Sequence, residues 1–187
     1  MRNYLRLMAV IGLAFILTGC GDGRADSHHR TVSEKSQSTK VINWKKPSQN
    51  KPYPKITTNN GRFLQVSLKK QRVYVKSPNH QTLYTMYAST GIHNSTPTGT
   101  YHIQQERGDF FYNPSSHEGA HYWTSWKNHG VYLFHTVPTN SKGQYLKSEA
   151  RHLGKRANSH GCIRLSIPDA KWINRTVPMG TKVVITD

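Results

Sequence analysis

Between residues 64 and 75 apolar side chains alternate with others in two short runs. Leu64, Val66 and Leu68 come first, then Val73 and Val75 follow after "KKQ". Period-two alternation sets one face of an extended chain against a core and the other toward water, so this stretch predicts strand, turn, strand. The same texture returns downstream. "TLYTMYAS" reads as a strand, and "STPTGTYHIQ" as a Pro/Gly turn feeding a strand through Tyr101 and Ile103. "GVYLFHT" and "CIRL" are short strand candidates, and "TKVVITD" closes the chain as another. One helix is predicted over 167–174, where Ser166 can cap, Pro168 suits the first turn and Asp169 suits the positive end of the dipole. Residues 57–187 are therefore expected to form one mostly β domain with a short helix near its C-terminus. The aromatic stretch "GDFFYNPSSHEGAHYWTSW", 108–126, fits either core packing with a wrapped loop or the wall or lid of a groove.

The first 56 residues have a different character. Arg2 and Arg6 precede Leu7–Leu17, eleven residues without a charge. That is short of the ~20 apolar residues a spanning helix needs, and it has the build of an export signal. The run ends in "LTGC", which resembles a bacterial lipobox with Cys20 as the lipidation site. Residues 1–19 are thus expected to be a lipoprotein-type signal peptide. Residues 20–56 are expected to be a lipid-anchored flexible tether, because "SHHRTVSEKSQSTK" and "KPSQNKPYPK" are too polar and proline-rich to bury much apolar surface. Trp44 and Tyr53 are the two side chains in it suited to docking on the domain.

The chain has two cysteines, Cys20 and Cys162. If Cys20 is acylated, Cys162 is an unpaired thiol in an exported protein, which marks a candidate reactive site. A thiol needs a base or a cation beside it to act as a nucleophile, and His135, His152 and His160 are the candidates. His160 stands two residues before Cys162 and shares its face if that segment is extended. His135 ends the "VYLF" run and is placed to lie on a neighbouring strand. A metal site built from His135, His160 and Cys162 is the competing chemistry. It is disfavoured by the lack of a second cysteine pair and of a His-Glu-x-x-His motif.

"SHGCIRL" at 159–165, with His135 upstream in "FHTVP", resembles the signature of the YkuD-type L,D-transpeptidases. "VSLKKQRVYV" is similar to the opening strands of that domain, "STGIHNSTPTGTYHI" to its "STG…TPTGTF" segment, and "AKWINRTVPMGTKVVI" to its close. The resemblance runs over about residues 60–187. It implies a mostly β, sandwich-like catalytic domain with Cys162 as nucleophile and His135 as general acid/base. It places Ser159, His160 and Gly161 in the pocket, with backbone N–H groups near Gly161 and Cys162 as oxyanion donors. Arg164 falls at the arginine of the motif, suited to a substrate carboxylate or to a structural ion pair. Thr136 or a backbone carbonyl is expected to orient His135. Residues 138–158 are expected to form a loop with a short helical segment, leaving His152 at the surface.

The implied reaction is attack of the Cys162 thiolate on a tetrapeptide stem of peptidoglycan, loss of D-alanine, and transfer of the thioester to an amine in the wall. It needs neither metal nor organic cofactor. Hydrolysis of the same thioester, an L,D-carboxypeptidase activity, is one alternative. A non-catalytic wall-binding lipoprotein is another. Sortases are disfavoured by the absence of a Thr-Leu-x-Thr-Cys segment, and papain-like wall peptidases by the order His before Cys. The formal charge of +17 favours polyanions. With an export signal and no nucleic-acid motif, that points to anionic cell-wall polymers at the outer face of the cytoplasmic membrane and not to nucleic acid.

Overall fold

The computed structural model describes residues 42–187. The expected signal segment, Cys20 and the first part of the expected tether lie outside them. Nine strands and two α-helices follow in chain order: β1 Phe63–Ser67, β2 Arg72–Lys76, β3 Thr82–Ser89, β4 Gly99–His102, β5 Arg107–Asn113, β6 Glu118–Lys127, β7 Tyr132–Thr136, α1 Lys147–Ala150, β8 Ile163–Leu165, α2 Ile167–Thr176 and β9 Lys182–Thr186. The strands form one mostly antiparallel sheet ordered β4-β9-β1-β2-β3-β8-β7-β6-β5, with parallel pairs at β1/β9 and β7/β8. The sheet curls, because the chain just after β4 returns to β6. Gln104 N–H donates to the Ser125 carbonyl at 2.8 Å, and Ser125 N–H to the Glu106 carbonyl at 2.9 Å.

The alternation at the start of the domain has the expected consequence. Leu64 and Val66 of β1, Val73 and Val75 of β2, and Tyr84 and Met86 of β3 are fully buried in one core. Trp126, Phe134, Ile163 and Leu165 from the other half of the sheet join it. Ala170 and Ile173 of α2 complete it. Ser166 caps α2 by accepting the Asp169 N–H at 3.3 Å.

Two segments differ from the sequence reading. The aromatic stretch 108–126 is a β-hairpin, β5 and β6, and it serves both purposes at once. Trp126 is core, while Phe111 and Trp123 line a pocket. Its strands lack a clean period of two because Asp109 and Phe110 are exposed side by side in β5, and because Tyr122 takes a left-handed φ of 53° inside β6.

Residues 42–56 carry neither helix nor strand, yet they dock. Ile42 and Trp44 pack against the small cluster of Val137, Ala150 and Leu153, and Ile167 N–H donates to the Trp44 carbonyl at 2.9 Å. Ser48 Oγ and Tyr53 OH (2.7 Å) both donate to the fully buried Asp169 carboxylate. The Tyr53 ring stacks on Trp172 at 5.1 Å. Composition counts polar residues and does not register that a few aromatic and hydroxyl groups suffice to fasten a strap to one buried acid. Asp169→Ala removes that acceptor. It is expected to cost about 2–3 kcal/mol in urea denaturation, since bonds to a charged group are lost and buried donors are left behind. It should also open 42–56 to limited proteolysis, and an unchanged midpoint and cleavage pattern would show that the strap is held elsewhere.

Candidate active site

The turn that presents Cys162 is built by its own hydroxyl. Ser159 Oγ donates to the Cys162 carbonyl at 2.6 Å and accepts the Gly161 N–H at 3.1 Å. Gly161 has φ +137°, and a Cβ there would lie 2.9 Å from both the Ser95 carbonyl oxygen and the Tyr132 ring. Only glycine fits such a backbone and such an approach. Thr96 holds the turn from the other side. Its hydroxyl donates to the Gly161 carbonyl at 2.9 Å and accepts the Gly91 N–H at 2.7 Å. The turn then runs into β8, so the half-buried Cys162 stands at the mouth of a strand.

β8 lies parallel to β7, and His135 pairs in register with Arg164. Both His135 and Cys162 face a pocket of about 450 Å³. His135 is 5 % exposed. Its Nδ1 lies 2.6 Å from the Thr136 carbonyl oxygen. A carbonyl only accepts, so the proton is on Nδ1 and Nε2 keeps its lone pair. Phe111 packs edge-on against the ring at 5.6 Å. Burial, with the Arg164 charge behind it, pushes the His135 imidazole down to about 3. Burial likewise pushes the Cys162 thiol up to about 11, against the pull of the Leu133 backbone N–H and of Arg164. The two groups therefore rest as neutral thiol and neutral imidazole at pH 7.

The depressed histidine has a consequence for stability. The unfolded chain takes up this proton near the ordinary histidine value and the folded chain only near 3, so folding weakens as pH falls through that window. The expected slope is about 1.4 kcal/mol per pH unit. It should be absent from the difference between wild type and His135→Gln in urea titrations from pH 7 to 3.5 if another group is responsible.

Arg164 is 2 % exposed. One terminal nitrogen donates to Glu118 Oε2 at 2.6 Å, the other to Glu149 Oε2 at 2.8 Å. Asn158 Nδ2 donates to the same Glu149 oxygen at 2.6 Å. This is the geometry of the ion-pair alternative, because both ends of the guanidinium are already engaged.

Of the residues singled out from the sequence, Cys162, His135, Ser159, His160, Gly161 and Arg164 all line this one pocket. Two details depart from expectation. The 160–162 segment is not extended, since Gly161 turns it, so the shared-face argument for His160 does not apply; its side chain is exposed at the pocket. The Gly161 N–H, expected to be an oxyanion donor, already donates to Ser159. His152 is bonded to Arg156 in the 147–156 region, away from the lining residues. Sequence reasoning missed Glu118, Glu149 and Thr96. Only Thr96 carried a signal, through its place in "STPTGT".

A family model described as the L,D-transpeptidase catalytic domain, YkuD, matches residues 61–185. The chain belongs to the YkuD family. A Bacillus subtilis (strain 168) protein named as a provisional L,D-transpeptidase, YciB, is 40 % identical over 199 residues, covering all of both chains. A crystal structure from Clostridium acetobutylicum ATCC 824, titled as a fused Zn-dependent amidase/peptidase/peptidoglycan-binding domain-containing protein, is 31 % identical with TM-score 0.51, over 74 % of this chain and 56 % of that one. The L,D-transpeptidase LdtMt1 in complex with imipenem is 22 % identical with TM-score 0.55, over 67 % and 59 %, and shares the fold. This chain thus spans less than two thirds of those two structures' chains. The YkuD domain here is mostly β, as the alternation predicted, and the family implies an acyltransferase. Among the described residues no helix is long and apolar enough to cross a membrane.

Proposed function

We propose that this chain is a peptidoglycan L,D-transpeptidase whose nucleophile is Cys162 and whose proton carrier is His135. The observation that carries the reading is the pair itself. An imidazole on β7 and a thiol in the turn that leads into the parallel β8 open on one pocket, and the imidazole is held in the tautomer that leaves Nε2 free to accept.

Because both groups start neutral, attack and proton transfer run together. The Cys162 S–H proton passes to His135 Nε2 as sulfur bonds to the carbonyl carbon of the third stem residue. The oxyanion is met by backbone N–H groups, of which Cys162's own is the candidate left once Gly161's is given to Ser159. The C–N bond then breaks, the His135 proton goes to the leaving nitrogen, and D-alanine departs from a thioester. An amine of another stem attacks that thioester, gives a proton to His135, and the proton returns to the Cys162 sulfur. Serving both steps with one imidazole requires no net gain or loss of protons by the enzyme. Export and a lipid anchor at Cys20 would hold this activity at the outer face of the membrane. Intact-mass analysis of membrane-extracted protein tests the anchor.

Incubation with a tetrapeptide muropeptide, followed by mass spectrometry, tests the function. A tripeptide acyl mass on Cys162, free D-alanine and a cross-linked product are expected; absence of D-alanine release overturns the reading. The neutral resting pair adds a pH signature. Iodoacetamide alkylation of Cys162 should rise about ten-fold per pH unit above 7, as thiolate accumulates toward the raised value. A plateau beginning below pH 7 would instead indicate a preformed thiolate–imidazolium pair.

A further inference from the structure

The charges around Arg164 do not balance. One guanidinium receives two carboxylates, Glu118 and Glu149, so the triad has a formal charge of −1 in a chain of formal charge +17. Glu149 shares its bonded oxygen with Asn158, and it does not line the pocket. Glu118 does, and among the described residues it is the one acid in that wall. Its side chain is 22 % exposed. Oε2 is bonded to Arg164, while Oε1 has no hydrogen-bond partner among the described residues. Glu118 is also close enough to Cys162 for its charge to be felt at the sulfur. An unneutralised carboxylate oxygen, in a pocket walled by Phe111, Trp123 and Tyr132, suits a cation that brings its own hydrogen-bond donors.

We propose that Glu118 is a subsite for a primary ammonium group on a stem peptide. The assignment rests on the transpeptidase reading for which substrate brings the amine, though not for whether the amine binds. Two substrates can supply that chemistry. The acceptor stem must present an amine beside the thioester, and the donor stem can carry one on the side chain of its third residue. In either case the ammonium supplies the charge the triad lacks, and Glu118 sets where it sits relative to the sulfur.

Glu118→Gln keeps an oxygen for Arg164 while replacing the charge and the free acceptor oxygen with a neutral NH2. The direct test is an NMR titration of Nα-acetyl-lysine amide into full-length Cys162→Ala protein, with and without Glu118→Gln. Binding about ten-fold weaker in the glutamine variant is expected, from the loss of one charge-assisted bond. Equal binding, or none in either protein, overturns the proposal whether or not the chain turns over peptidoglycan. Turnover then names the source. A raised KM for the amine acceptor at saturating donor identifies the acceptor stem. A raised KM for a free-amine donor, but not for the same donor with its amine acetylated, identifies the donor. A fall in kcat with both KM values unchanged marks Glu118 as a prop for Arg164 only and overturns the subsite. Iodoacetamide supplies the control, since removing a negative charge near the sulfur should leave Cys162 alkylation no slower than in wild type.

Discussion

Cys162→Ala is expected to reduce D-alanine release from a tetrapeptide stem by about 10⁴-fold or more, as loss of a covalent nucleophile does in other acyl-transfer enzymes. In the proposed reaction, splitting the transfer into two steps depends on the sulfur, and no other thiol lies among the described residues. Folding should survive the change. The Cys162 side chain is half-buried, and its sulfur makes only weak backbone contacts, 3.6 Å to the Val131 carbonyl and the approach of the Leu133 N–H. The turn is held by Ser159 and Thr96 and not by the thiol. The measurement is D-alanine release by purified variant, with urea unfolding in parallel. A folded variant that retains even a tenth of wild-type release removes Cys162 from the mechanism. A histidine-dependent hydrolysis would then be the reading to pursue, with His135→Gln as its own control.

Arg164→Met is expected to have the largest effect on stability, about 3 kcal/mol or more. Removing one member of a buried ion pair strands its partners, which typically costs roughly 3–5 kcal/mol. Here two carboxylates are stranded. Both keep some water contact, at 22 % and 25 % exposure, and this places the expectation at the lower end. The loss is not confined to one element, because Arg164 on β8 ties Glu118 at the start of β6 to Glu149 in α1. Arg164→Lys should not rescue it, since a single ammonium lacks the fork that reaches two carboxylates. Urea denaturation reads the stability. Alkylation kinetics read a second consequence: the Arg164 charge pulls the Cys162 thiol down, so its removal should move the alkylation profile to higher pH. A variant as stable as wild type with an unmoved profile would show that the triad is dispensable.

Much of this was legible in the chain. β1, β2, β3 and β9 were marked by alternation or by β-branched runs, and α2 by a cap, a proline and an acid within four residues. Those signals are local, and local geometry produces them. β5 and β6 were not read as a hairpin, because their aromatic residues serve the core on one side and the pocket on the other. Exposure does not alternate along β5, where Asp109 and Phe110 are exposed side by side, and the left-handed Tyr122 interrupts the period of β6. The docking of 42–56 was likewise invisible, since it rests on Ser48 and Tyr53 meeting an acid more than a hundred residues away.

By itself the sequence singled out the residues proposed to carry the chemistry. Cys162 and His135 were recognisable because thiol and imidazole are the groups that acyl transfer through a thioester requires, and Gly161 because of the motif around it. Only the tertiary structure decided how those residues are equipped. It tied His135 Nδ1 to the Thr136 carbonyl, gave the Gly161 N–H to Ser159, and gave Arg164 to Glu118 and Glu149. The reason is physical. Reactivity of a functional group is intrinsic to its residue type, whereas its protonation, its tautomer and the charge it faces depend on burial and on partners that only long-range strand pairing brings within bonding distance.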